Sequence, residues 1–198
     1  MLETNTARTL AALNATNEAI LYAKSPAELY AKVCEAAFSR GDFLAATIFL
    51  QEAGTDRLCC VAGLGEDSER LRNIGISTDA GVQEGRGIGG QAFRDRKVCI
   101  SNDYLNDARS LAWRQSALEG QVGAAAAMPL IRNGNSVGIL LVTKRETGSF
   151  NEETVAMLER MSKNISFALD NFDHEESRKK SERAMRRLAR MLLNRQKR

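Results

Sequence analysis

Two apolar runs, residues 124–131 and 137–143, flank the dipeptide Asn133-Gly134. A loop of that composition takes up positive backbone dihedrals whose twist matches right-twisted strands, so the two runs form an antiparallel hairpin. That hairpin commits the chain to an antiparallel sheet. A second pair of runs, 43–50 and 58–62 across the turn residues Gly54-Thr55-Asp56, predicts another hairpin, and short runs at 74–76 and 98–101 predict further strands.

Helices bracket these strands. From Thr9 to Ala23 the apolar residues Leu10, Leu13, Ile20 and Leu21 recur at helical spacing, and Ser25-Pro26-x-Glu28 restarts a helix carrying Leu29, Val33, Ala36 and Ala37. At the other end Asn151 is positioned to cap a helix with Glu152 and Glu153 in its first turn. Val155, Leu158, Ile165, Ala168, Leu169 and Phe172 form its apolar stripe. No glycine or proline follows Gly148, so one helix is predicted to run to the end of the sequence. Its stripe fades after Phe172, and only Met185, Leu188 and Leu192 resume it, a partial coiled-coil seam. Strand pairs with helices before and after give an α+β chain, an antiparallel sheet of five or six strands with the terminal helices on one face.

Composition removes several function classes. The 198 residues include one histidine, His174, and four cysteines, Cys34, Cys59, Cys60 and Cys99, with no C-x-x-C spacing. Zinc ligation, histidine catalysis and haem ligation therefore lack their residues. The net charge of +3 conceals an asymmetry: residues 174–198 carry ten Lys/Arg against three Glu, and the rest of the chain is net acidic. A basic terminal helix after an acidic body reads as a solvated extension, not a nucleic-acid face. No run approaches the roughly 20 apolar residues of a membrane span, and the N-terminus lacks a secretory signal pattern, so a cytoplasmic location is expected.

The segment Gly85-Arg86-Gly87-Ile88-Gly89-Gly90 contains the G-x-G-x-x-G letters of a dinucleotide fingerprint. Residues 77–84 before it are polar where a buried strand is required, and no parallel unit follows. The alternative is a glycine turn that lets a short helix, 87–94, pack on the sheet. Residues 102–120 then form a polar connector anchored at Leu105, Leu111, Trp113 and Leu118, too long to be structureless in a compact domain.

Gly85 to Arg94, Asp103, Trp113, Met128-Pro129-Leu130, Gly134, Val137-Gly138, and Phe150 with Glu153 together resemble the second half of a GAF domain, a small-molecule sensing module of bacterial signalling proteins. The resemblance covers roughly residues 10–172. Ala168 to Phe172 running into a charged helix is similar to sensors that precede a diguanylate cyclase or similar output domain. The division implied is an N-terminal helix (1–23), a sensor domain (24–172) and a basic signalling-helix extension (173–198). The resemblance implies a pocket on the sheet face away from the terminal helices, roofed by the connecting segments, and names no cofactor.

Candidate pocket residues are Phe49, Val61, Ala126 and Met128 from the strands, Ile88 and Phe93 from the glycine-led helix, and Cys99, Asp103, Arg109 and Trp113 from the connectors. Trp113 admits two roles: an aromatic wall for a ligand, or a pin that fastens its loop to the sheet with Asp103 capping a turn and Arg109 ion-paired. Cys99 is read as inert in preference to a bilin or redox attachment point. The cyclic-nucleotide pattern of some GAF domains is only partly matched, since Thr154-Val155 stand where acids are required. Leu10, Leu13, Ile20, Leu158, Ile165, Leu169 and Phe172 are the candidate dimer contacts. The expected function is a non-catalytic sensor that binds an unidentified small molecule, pairs as a homodimer and signals to an output domain downstream in the same chain. The competing expectations are a ligand-free dimerisation module and a GAF-fold sulfoxide reductase.

Overall fold

A computed structural model describes residues 2–66 and 68–196. Helices α1 (Leu2–Tyr22) and α2 (Pro26–Gly41) come first, followed by strands β1 (Ala45–Gln51) and β2 (Arg57–Gly65). A five-residue helix α3 (Ser68–Arg72), the two-residue strand β3 (Ile76–Ser77), α4 (Ile88–Asp95) and β4 (Cys99–Ser101) come next. The long connector holds a 3-10 helix (Ala108–Trp113) and α5 (Arg114–Glu119) before β5 (Ala124–Arg132), β6 (Asn135–Lys144) and the 45-residue α6 (Glu152–Gln196). The six strands form one antiparallel sheet ordered β3-β2-β1-β6-β5-β4. Among the described residues no helix is long and apolar enough to cross a membrane.

Local chemistry accounts for the boundaries. The Ser25 hydroxyl accepts the Glu28 N–H at the head of α2, with Pro26 at its first position, and the Asn151 carboxamide oxygen accepts the Thr154 N–H at the head of α6. Asn133 and Gly134 both have positive φ, as the two-residue hairpin turn demands.

The sheet divides the interior in two. On one face α1, α2 and α6 pack over Ala46, Ile48, Ala124, Ala126, Met128, Leu130, Leu140 and Val142. The other face, with Ala45, Phe49, Ala125, Ala127, Ile139 and Leu141, lies under α3, α4 and the Trp113 segment. This layering is the one the sequence predicts.

The candidate dimer contacts need correction. Leu13, Leu158, Ile165 and Leu169 are at most 1% exposed, because α1 lies against both α2 and α6 and the three helices share one core. They hold the protomer together, and their own side chains are not open to a second copy. Ile20 and Phe172 are half-buried against the same core, and Leu10 is exposed. Leu21 and Tyr22 on α1 and Phe167 on α6 are more exposed still. Met185 and Leu188 are exposed on the helical extension, and the side chain of Leu192 lies outside the described residues.

One feature of α6 was not legible in the sequence. Edge strand β4 pairs only with Ala125–Ala127, so β5 continues beyond it with no strand neighbour on that side. α6 takes that neighbour's place. Ser162 Oγ donates to the Pro129 carbonyl, Ser166 Oγ accepts the Ile131 N–H at 2.9 Å, and Asp170 Oδ1 accepts the Asn133 N–H at 2.6 Å. Two strand residues advance about 6.7 Å and four helical residues about 6.0 Å, so alternate residues of β5 stay in step with one residue per turn of α6. Proline at 129 lacks the N–H that would otherwise be left unpaired at this edge. At the end of the rail, Asp173 receives both arms of the Arg132 guanidinium and the Asn133 side-chain amide.

Candidate functional site

The glycine segment settles between its two readings by steric contact. A Cβ on Gly85 would lie 1.7 Å from the Asp79 carbonyl oxygen, and one on Gly87 would lie 2.3 Å from the Trp113 ring. The space a phosphate would need is filled by the chain itself. Arg94 and Arg86 reinforce the turn by donating to the carbonyls of Thr78, Gly85, Ala80 and Gly81. The segment packs α4 onto the sheet.

Trp113 forms the roof. Its Nε1–H donates to the Gly75 carbonyl at 3.0 Å, its ring covers Gly87, and Arg70 of α3 donates to the Ser116 hydroxyl of α5 at 3.1 Å. These contacts tie the two roofing segments to each other. Beneath them Phe49, Ile76, Ile88, Ala125, Ala127 and Leu141 close the interior. Among the described residues, two spaces under the indole measure about 20 Å³ each. Each has room for one water molecule and no organic ligand.

The expected pocket residues therefore divide. Phe49, Ile88 and Trp113 do share the chamber, and Phe93 packs at its margin. Ala126 and Met128 face the opposite side, in the helical core, because the strand begins one residue away from the phase that would turn them to the roof. Ala125 and Ala127 take their place. Val61 is the extra residue of a bulge where the register with β1 shifts, and it is 48% exposed. Asp103 accepts from the Asn106 side chain at 2.9 Å and closes a local turn.

Arg109 is the centre of a polar cluster beside the chamber. It forks onto Asp107 at 2.7–3.2 Å and also donates to Gln91, to the Ile100 carbonyl and to Cys99 Sγ. Its hydrogen bonds hold the Asp107 carboxyl down at about 2. Burial pushes the Cys99 thiol up, against the opposing pull of Arg109, and the thiol donates to Gln91. Burial likewise raises Cys60 and drives Cys34 up to about 12. The neutral thiol is a poor nucleophile. Cys60 and Cys99 lie on strands separated by β1, β6 and β5, hence about 19 Å apart at the usual strand spacing, far beyond disulfide reach.

The chamber floor contains a feature that no sequence signal announced. Thr47 and Thr143 are buried, and their hydroxyls have no hydrogen-bond partner. Both stand on the roofed face, and Thr143 lines one of the small spaces. Among the described residues no group of three His, Cys, Asp or Glu side chains is placed to hold a metal ion.

The family model of the GAF domain matches residues 23–170. The chain belongs to the GAF domain family. Its fold is shared with the GAF domain of a phosphoenolpyruvate-protein phosphotransferase from Coxiella burnetii, at TM-score 0.70 and 16% identity over 87% of this chain and 99% of that one. It is also similar to the free methionine-R-sulfoxide reductase of Neisseria meningitidis in complex with its substrate (TM-score 0.68, 15% identity, 82% and 88% covered). The GAF domain of an Acinetobacter phosphoenolpyruvate-protein phosphotransferase follows at TM-score 0.64 and 12% identity, covering 85% and 97%. No curated protein matches by sequence. At such identities the likeness shows the GAF fold and carries none of the chemistry.

Proposed function

We propose that this GAF domain is a non-catalytic sensor in a bacterial signalling protein, and that it passes its state through α6 to an output domain following in the same chain. The observation that carries the reading is α6 itself. It is hydrogen-bonded along the β5 edge from Ser162 to Asp173 and continues without a break to Gln196. A change in the sheet therefore moves the helix as one piece with it. Ion pairs one turn apart, Glu175–Lys179, Glu176–Lys180 and Arg178–Glu182, support the helix where its apolar stripe fades.

We assign the homodimer contact to Leu21 and Tyr22 on α1, both more than 60% exposed. The Asn164–Asn17 hydrogen bond at 2.7 Å sets α1 beside α6, so a contact through α1 adjoins the signalling helix. Sedimentation equilibrium tests this: the expected result is a dimer that Leu21→Glu converts to a monomer, and a wild-type chain monomeric at tens of micromolar overturns it. The separation of Cys60 from Cys99 supports the non-catalytic reading. Thiol-dependent turnover of free methionine sulfoxide by this chain would overturn that part.

A second reading, an interaction module without a ligand, is favoured by the filled chamber under Trp113. Native mass spectrometry followed by thermal-shift screening separates the two. A retained or stabilising small molecule supports the sensor, and none across broad libraries supports the module.

A further inference from the structure

A groove of about 660 Å³ runs between α6 and the turn that leads from α4 into β4, along the β5 edge that β4 leaves uncovered. Its size lies within the range of small-ligand sites, whereas the spaces under Trp113 have room for about one water each. Val98, Ile131 and Phe167 supply an apolar wall, and Arg96, Lys97 and Lys163 supply three cations. None of these three cations has an ion-pair or side-chain hydrogen-bond partner among the described residues. Two carboxylates border the groove, Glu159 and Asp170, and Asp170 is engaged by the Asn133 N–H.

Arg96 supplies an independent observation. It caps α4 in the left-handed conformation with φ of 55°, a position where glycine costs the backbone least. Asp42, Gln121 and Asn133 are the other non-glycine residues of that conformation in the described chain, and each uses its side chain within the fold: Asp42 on Arg8, Gln121 on Arg145 and Asn133 on Asp173. Arg96 alone holds its side chain in the groove with no internal partner. Its backbone N–H closes α4 on the Ala92 carbonyl, a bond glycine would make as well, so the cap does not account for an arginine there.

We propose that this groove is a binding site for an amphipathic organic anion, an aromatic or aliphatic carboxylate, sulfonate or phosphate whose apolar part lies against Phe167 and Ile131 and whose charge meets Arg96 and Lys97. An occupant would rest on Ser162, Ser166 and Asp170, the residues that hold α6 to β5. That link to α6 rests on the sensor reading above; the binding itself does not.

The test uses 1-naphthalenesulfonate as probe, with 1-naphthylmethylammonium as its cationic counterpart, in titrations followed by calorimetry on the whole chain. The anion is expected to bind and the cation not. Arg96→Gly relieves the left-handed position, so it should unfold no earlier than wild type while weakening the anion about tenfold. Phe167→Ala is expected to weaken the anion similarly and to remove its naphthalene-to-protein NMR contacts. Equal binding of the two probes, or unchanged anion affinity in folded Arg96→Gly, overturns the groove proposal. Either result leaves the coupling of α6 to the sheet standing, whereas a groove that binds anions without moving α6, read by spin-label distances between β6 and the extension, removes the sensor reading alone.

Discussion

Replacing Ser162 and Ser166 by alanine deletes two hydrogen bonds that stand in for a missing strand. Ser162 is 6% exposed and sits with the buried Pro129 residue at the floor of the groove, so Ser162→Ala leaves the Pro129 carbonyl poorly solvated and costs about 1.5–2 kcal/mol. Ser166 is only half-buried on the same groove, where water can take over the Ile131 N–H, and its loss costs less, about 0.5–1 kcal/mol. The two sites share one helix face and one strand, so the double variant is expected to lose about 2–3 kcal/mol with modest non-additivity. For a domain of this size that is a fall of about 5–10 °C in Tm. Differential scanning calorimetry gives the total, and amide exchange gives the location: Ile131 should lose protection selectively while β1 and β2 keep theirs. Ser181→Ala on the exposed extension serves as control. A double variant within 1 °C of wild type, or an Ile131 amide that stays protected, would refute the argument that α6 completes the sheet edge.

Gly87→Ala places a methyl group 2.3 Å from the Trp113 ring and is expected to cost about 2–3 kcal/mol, with a red shift of the single tryptophan's emission; unchanged stability and emission would mean the ring does not sit there. Thr143→Val removes a buried hydroxyl with no partner, so it should leave thermal stability unchanged or raise it by up to about 1 kcal/mol, and a clear loss would reveal a bond the chamber conceals. Asp107 is held at about 2 by Arg109, below the ordinary carboxylate range. Its contribution is therefore complete above roughly pH 4 and is lost as pH falls towards 2. Arg109 is about one-third exposed and solvent screens the pair, so Asp107→Asn should cost about 1 kcal/mol at pH 7, a difference that shrinks below pH 4 in urea titrations. A difference that stays constant from pH 7 to pH 3 refutes the ion pair.

The turn Asn133-Gly134, the caps at Ser25 and Asn151 and the uninterrupted α6 were all written in short stretches of sequence, because each is decided by the dihedral preferences and hydrogen-bonding groups of a few neighbouring residues. The packing role of the glycine segment was legible for the same reason, since no buried strand preceded it. What the tertiary structure alone decided was which face each residue meets. Ala126 and Met128 could not be assigned to a face from alternation, because β5 is apolar at every position from 124 to 131 and a one-residue slip exchanges its two sides. Leu158, Ile165 and Leu169 were expected at a dimer seam, and the position of α1 against α6 puts them in the internal core, because a helical stripe does not say which partner covers it. The same holds for the candidate site: Trp113 was visible as an anchor, but whether its chamber is hollow depends on how closely Ala125, Ala127 and Gly87 let the roof approach. The groove at Arg96 exists because β4 stops short of β5, a mismatch between two strands that are distant in sequence, and no local signal records it.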